Sequence, residues 1–245
     1  MSKTSQHIIF DMDDTLIHCN KYFDLILGDY FEWMTEWFQP YGVTTQEVRA
    51  KQMEIDVAGI DKLGFASANF PQSLIDTYHF FGRIHGRDSS PKEEELLYQL
   101  GLSVYEQEIE AYPGMVETLE KLQEDGHCLY LYTGGETRIQ KRKIEQMKLA
   151  DYFKDRIYIR QHKNITALEE ILGMGSFVRS HTWMIGNSLR TDVVPALTAG
   201  INSIYIKQQR EWQYNLVELK QEPHNVLYTV SALTEVPEVI EEHLT

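Results

Sequence analysis

Two carboxylates stand two residues apart in Ile8-Ile9-Phe10-Asp11-Met12-Asp13-Asp14-Thr15, directly after three apolar residues. A short apolar run with polar borders reads as a strand buried on both faces. In an extended chain the side chains of i and i+2 point the same way, so Asp11 and Asp13 emerge together where the strand ends. Adjacent carboxylates repel, and neither is stable when buried without a partner. A divalent oxygen-seeking cation such as Mg2+ relieves that repulsion. The competing reading is a strand followed by an acidic turn, since Asp is common in turns.

Three later segments offer matching chemistry. Thr133-Gly134-Gly135 supplies a hydroxyl and glycine amides beside a helix start at Glu136, a small cradle for an anion; the same tripeptide is also a common turn. Lys163, in Gln161-His162-Lys163-Asn164, precedes another helix and could offset phosphate or carboxylate charge as a point cation, although most lysines are solvated surface residues. Gly186-Asn187-Ser188-Leu189-Arg190-Thr191-Asp192 presents oxygens from Asn187 and Asp192 to a hard cation. Alternatively, Asp192 simply opens a helix favourably.

The elements that must position these residues follow from periodicity. Cys128 to Tyr132, Arg156 to Arg160, Thr182 to Ile185, Ile201 to Ile206 and Val226 to Val230 read as short strands. Helices are expected between them, over about 115–124, 136–147, 165–172 and 192–199, with a short acidic helix within 231–244. Strands alternating with helices imply a parallel sheet with right-handed crossovers, and such a sheet gathers its ligands at the carboxyl ends of its strands. The fold class is therefore α/β, a Rossmann-like doubly wound parallel sheet. Between Ile17 and Ala111 there is no strand signal. Tyr22, Phe23, Ile26, Leu27, Tyr30, Phe31, Met34, Trp37 and Phe38 recur at helical spacing. Further helices are expected from Thr44 or Thr45 to about Ile60, from Asn69 to Ile84, and from a capping Ser90 with Pro91 to about Ile109. The domain boundaries expected are 1–17 with 111–245 for the core, and 18–110 for an inserted all-helical unit. An insertion that leaves and rejoins the sheet beside Asp11 and Asp13 is placed to act as a lid; the plainer reading is that its helices extend the core.

Composition narrows the partners. The chain has 245 residues, long enough to bury a full core, and 23 basic against 37 acidic residues give a formal charge of -14. Bulk charge of this sign argues against nucleic acid and against an anionic membrane, but not against a small anionic substrate at a local cation. The two cysteines, Cys19 and Cys128, fit neither a disulfide framework nor metal-ligand spacing. Reduced thiols, a polar stretch from Met1 to His7, and no apolar run of membrane-spanning length lead to the expectation of a soluble cytoplasmic protein.

Together, Asp11-x-Asp13-x-Thr15, Thr133-Gly134, Lys163 and Gly186-Asn187…Asp192 occur in an order that resembles the four motifs of the haloacid dehalogenase (HAD) superfamily. Tyr112-Pro113-Gly114 before a helix is similar to that family too. The resemblance covers the α/β core, and the helical insertion resembles the family's first-type cap in position and helical character. It implies a phosphatase that works through an aspartyl-phosphate. Asp11 would be the nucleophile, and Asp13 the acid and then the base. Thr133, Gly134 and Lys163 would hold the phosphoryl oxygens, with Arg160 a competitor for the role of Lys163. Mg2+ would be bound by Asp11, the backbone carbonyl of Asp13, Asp192 and Asn187, the last directly or through water. The family's phosphatases often carry Asp where Asn187 stands.

The resulting expectation is a Mg2+-dependent phosphatase acting on a small phosphorylated metabolite. A phosphomutase shares every core motif. Hydrolysis of haloacids is disfavoured by Asp13 and Asp192. A non-catalytic binding module is a further alternative, and the intact Asp11 and Asp13 count against it. In the insertion, Tyr22, Phe23, Tyr30, Phe31, Trp33, Trp37 and Phe38 could stack on a base or sugar, but an internal core is the favoured reading. Arg83, His85 and Arg87 are candidates for a second anion contact, or form a solvated turn.

Overall fold

The computed structural model describes residues 4–219 and 225–244; residues 1–3 of the polar amino-terminal stretch and residue 245 of the expected core lie outside them. The chain divides into two compact units, Met1–Cys19 with Ile109–Thr245, and Asn20–Glu108. The division falls two residues inside each end of the 18–110 insertion expected from sequence.

The first unit is built on six parallel strands: β1 (His7–Phe10), β2 (Cys128–Gly134), β3 (Ile157–Arg160), β4 (Thr182–Gly186), β5 (Asn202–Ile206) and β6 (Leu227–Val230). Their order is β3-β2-β1-β4-β5-β6. β1 lies between two partners, with His7 opposite Cys128 on one side and Thr182 on the other. The winding reverses between β1 and β4, and in sheets of this kind the crevice at such a reversal holds the ligand.

The inner strands β4 and β5 are buried along their whole length, and β1 from Ile8 on, because both faces of the sheet are covered there. The edge strands β3 and β6 are only partly buried. Ile8, Phe10, Leu129, Leu131, Trp183 and Ile185 share one cluster. Packed with them are residues of α5 (Met115–Glu124), α6 (Thr137–Gln146), α7 (Ala150–Phe153) and α10 (Val236–His243). The alternate residues Ile9, Tyr132 and Met184 pack with α8 (Ile165–Met174) and α9 (Val194–Thr198). α7 was not expected, because four residues are too few to show a helical period.

The second unit contains α1 (Asn20–Trp37), α2 (Thr45–Leu63), α3 (Asn69–His85) and α4 (Pro91–Ser103). α2 starts where expected, with Thr44 and Glu47 capping each other's backbone amides. Tyr30, Phe31 and Phe38 are buried with Phe70, Leu74, Tyr78 and Leu97, and Tyr22, Phe23, Trp33 and Trp37 pack against that cluster. The aromatic run of α1 is the core of its own unit. Gly101 of α4 meets Pro71 of α3 so closely that an added Cβ would lie 2.6 Å from the proline Cα.

Two expectations about this unit are corrected. α4 ends at Ser103, well before Ile109; a tighter turn over Val104–Glu106 follows, and Gln107 is extended. The chain must straighten there because His18 N–H donates to the carbonyl of Glu110, 2.8 Å away, where the insertion rejoins the first unit. Ser90 makes no capping bond through its side chain; its backbone N–H donates instead to the Tyr78 hydroxyl.

Arg87 is also accounted for within this unit. Its guanidinium forks onto both oxygens of Glu93 at 2.8 and 2.7 Å and reaches the Tyr78 hydroxyl. His85 packs among Phe38, Tyr41 and Phe81. These contacts spend both side chains on structure. Among the described residues no helix is long and apolar enough to cross a membrane.

Candidate active site

The end of β1 continues into a tight turn rather than a helix. The carbonyl of Met12 accepts from the amides of Thr15, Leu16 and Ile17, and Asp14 adopts a left-handed backbone, φ 59°. Asp tolerates that conformation better than most residues. The turn is held from outside by Gln208, whose amide donates to the Asp14 carbonyl, and closed by Cys19 N–H on Asp14 Oδ1.

Asp11 is buried. Its Oδ1 accepts from Lys163 Nζ at 2.5 Å and its Oδ2 from the Thr15 hydroxyl at 2.9 Å. Asn187 Oδ1 lies 3.4 Å from the same hydroxyl. Lys163 Nζ is also 2.5 Å from Asp192 Oδ1 and sits over the ring of Tyr132. One ammonium therefore joins the ends of β1 and β4. Burial pushes Asp11 up to about 7; Lys163 opposes the shift, while Asp192 and Asp13 add to it. Burial alone would lower Lys163, but the carboxylates of Asp11 and Asp192 hold it above the ordinary lysine value. Arg160, the alternative cation, turns away towards Glu170.

Asp192 is fully buried, and it does not open a helix. Residues Leu189–Val193 form a single wide turn in which Val193 N–H reaches back to the Ser188 carbonyl; α9 begins only at Val194. Such wide turns occur often at functional sites. Ser188 starts the turn by accepting from Thr191 N–H, and its own N–H donates to Asp192 Oδ2. Gly186 makes the approach feasible: a Cβ there would lie 2.2 Å from Asp192 Oδ2.

Asp13 is held by different partners. Lys143 Nζ donates to its Oδ1 at 2.7 Å and Gln140 Nε2 to its Oδ2 at 2.9 Å. The same Gln140 amide reaches Thr133 Oγ1 and the Gly134 carbonyl. The structure thus brings Asp11, Lys163, Asn187 and Asp192 into one connected set, and Asp13, Thr133 and Gly134 into a second. Gly135 does not offer a free amide, because strand pairing continues and its N–H donates to the Arg160 carbonyl. Sequence reasoning missed Gln140 and Lys143. The available signal was Gln140 sharing the buried face of α6 with Ile144, a polar residue where the pattern calls for an apolar one.

The donor set suits a hard cation. Among the described residues no three His, Cys, Asp or Glu side chains gather as a metal-binding group. Asp11, Asp192 and the amide oxygen of Asn187 nonetheless converge near Thr15 and Lys163, whose ammonium is the partner of Asp192 Oδ1. Mg2+ commonly takes one or two carboxylates and completes its shell with water.

Known proteins show the same architecture. A hydrolase from Xanthomonas campestris, described as haloacid dehalogenase-like, superposes with a TM-score of 0.78 at 22% identity, over 98% of this chain and 92% of that one. The HAD-hydrolase YfnB from Bacillus subtilis, solved bound to magnesium, gives 0.63 at 18% identity, over 97% and 99%. The pyrimidine 5'-nucleotidase PynA of Streptococcus pneumoniae (strain ATCC BAA-255 / R6) is 29% identical over 140 residues, 55% of this chain and 58% of that protein, so the match spans little more than half of either. The sequence profile of the haloacid dehalogenase-like hydrolases matches residues 6–200. The chain belongs to the haloacid dehalogenase-like hydrolase family.

Proposed function

We propose that this chain is a Mg2+-dependent phosphatase that hydrolyses a small phosphorylated metabolite through an aspartyl-phosphate. One observation carries the reading. Two carboxylates at one strand end differ in burial and in company: Asp11 is buried beside Thr15 and shares Lys163 with Asp192, whereas Asp13 stays partly open beside Gln140 and Lys143. Environments that differ in this way are how one site assigns separate jobs to two like groups.

In the first step Asp11 attacks phosphorus and the bond to the leaving oxygen breaks. The departing electron pair takes a proton from the carboxyl of Asp13. In the second step Asp13 accepts a proton from water as that water attacks the aspartyl-phosphate, releasing orthophosphate and restoring both carboxyl groups. Lys163, the Thr133 hydroxyl and the Gly134 amide bind the phosphoryl oxygens. Asp11, Asp192, Asn187 and the Asp13 carbonyl would hold Mg2+, which when bound neutralises charge so that an anionic nucleophile can meet an anionic phosphate. Asp13 also favours phosphate over carbon–halogen chemistry, which needs no acid at this position.

The helical unit is proposed to select the substrate as a lid. Its two chain crossings run side by side in the first unit, with Ile17 bridged to Ala111 and His18 bonded to Glu110. Free Cys19 and Cys128 support a reducing cytoplasmic setting. The name of the pneumococcal relative makes a pyrimidine nucleoside 5'-monophosphate the first metabolite to try.

The test is phosphate release from 4-nitrophenyl phosphate with Mg2+ or with EDTA. Release is expected only with Mg2+, and Asp11→Asn is expected to abolish it. If no phosphate is released and Mg2+ with beryllium fluoride does not raise the melting temperature, the phosphatase reading is wrong and a binding module takes its place.

A further inference from the structure

α6 follows the strand end at Gly134 after one residue of sharp turn and the extended Glu136. Gln140 and Lys143 stand three residues apart, so they share a helix face. That face meets Asp13. Gln140 is 2% exposed, and its amide nitrogen lies 2.9 Å from Asp13 Oδ2, 2.7 Å from Thr133 Oγ1 and 2.9 Å from the Gly134 carbonyl. Lys143 reaches the other carboxylate oxygen at 2.7 Å, and the thiol of Cys19 adjoins the same group.

Gly135 is what permits this arrangement. Its φ of 143° is open to glycine and closed to most residues, and a Cβ there would lie 2.9 Å from Gln140 Cδ. A side chain at 135 would push the amide out of the turn. A lone surface Asp rotates among several rotamers, and a proton donor that wanders delivers its proton late. Here two donors from one rigid helix fix both oxygens of one carboxylate. A carboxylate has about four lone-pair positions, so this surround leaves capacity for the proton being transferred.

We infer that Gln140 and Lys143 are positioning residues that orient the Asp13 carboxyl for proton transfer and tie it, through the Gln140 amide, to the Thr133 hydroxyl. The inference rests on the phosphatase reading above. Neither residue touches the reacting atoms; both act through Asp13.

The discriminating readout is leaving-group dependence. Phenolate is a stronger base than 4-nitrophenolate and needs its proton during departure, while the two phosphate esters are close in size. kcat/KM reports formation of the aspartyl-phosphate alone, so slow hydrolysis of that intermediate does not mask the effect. In Gln140→Leu and Lys143→Met, kcat/KM for phenyl phosphate should fall about tenfold or more beyond the fall for 4-nitrophenyl phosphate, the size expected when part of an acid's contribution is lost. Lys143→Arg should recover part of the loss. If either variant does not fold, Gln140→Asn carries the same test: it keeps an amide but is one methylene too short for all three acceptors. Equal falls for both esters, or a change in KM alone, would overturn the positioning role while leaving the phosphatase reading in place. A wild-type chain that hydrolyses neither ester would overturn the reading and this inference with it.

Discussion

Asp11 and Asp13 were legible from sequence because chemistry and strand period coincide at those positions. Thr133, Lys163, Asn187 and Asp192 were legible only as types near strand ends. Lys163 bridges Asp11 and Asp192, Thr15 links Asn187 to Asp11, and Gln140 ties Thr133 to Asp13, contacts that no local pattern encodes. A further residue-scale consequence lies in the helical unit. Asp56 of α2 is buried, and its Oδ1 accepts from the Asn69 amide of α3. Burial pushes it up to about 6 from 3.8, opposed by hydrogen bonds from Ser73 and Asn69. A carboxyl raised on folding stabilises the fold most below its unfolded value. That contribution is lost as pH climbs through the folded value. Between pH 4 and 6 the native state should therefore lose stability at this residue, on the order of 3 kcal/mol for a shift of this size. Asp56→Asn should remove that dependence. Its melting temperature relative to wild type should rise across the same interval and stay higher at neutral pH, as calorimetry at several pH values would show. A constant difference across the interval would contradict the assignment.

Elements were read more securely than their ends. All six strands lie where the sequence placed them; the inner ones, covered on both faces, left the clearest apolar runs, and the half-exposed edge strands β3 and β6 weaker ones. The ends that misled were those decided by contacts distant in sequence: α4 stops early to let Glu110 meet His18, and Asp192 sits in a wide turn drawn round Ser188. The packing of α3 on α4 makes a prediction of its own. In an open helix, replacing Gly with Ala gains about 1 kcal/mol. At Gly101 the added carbon meets the backbone of Pro71, which cannot turn aside, so Gly101→Ala should instead lose about 1–2 kcal/mol through overpacking. Denaturant unfolding followed by the tryptophans of α1 would register it, and a gain in stability would refute the close contact.

At the scale of the whole molecule, the sheet order separates neighbours in space from neighbours in sequence. β1 pairs only with strands that begin at Cys128 and Thr182, whereas Asn20–Glu108 is continuous and packs on itself. Local contacts form early and distant strand pairings late. On the ribosome the helical unit should therefore become protease-resistant in nascent chains stalled soon after Glu108 has emerged, while the segment carrying Asp11 stays cleavable until β4 is available. Stalled chains of graded length probed by brief proteolysis would reveal the order, and simultaneous protection of both segments would contradict it. The strand that leads into Asp11 is thus the first to be made and among the last to be housed. A chain released before Asp192 would carry Asp11 without the partner that shares its lysine, so on the proposed mechanism premature termination yields fragments with no competence to attack phosphate esters.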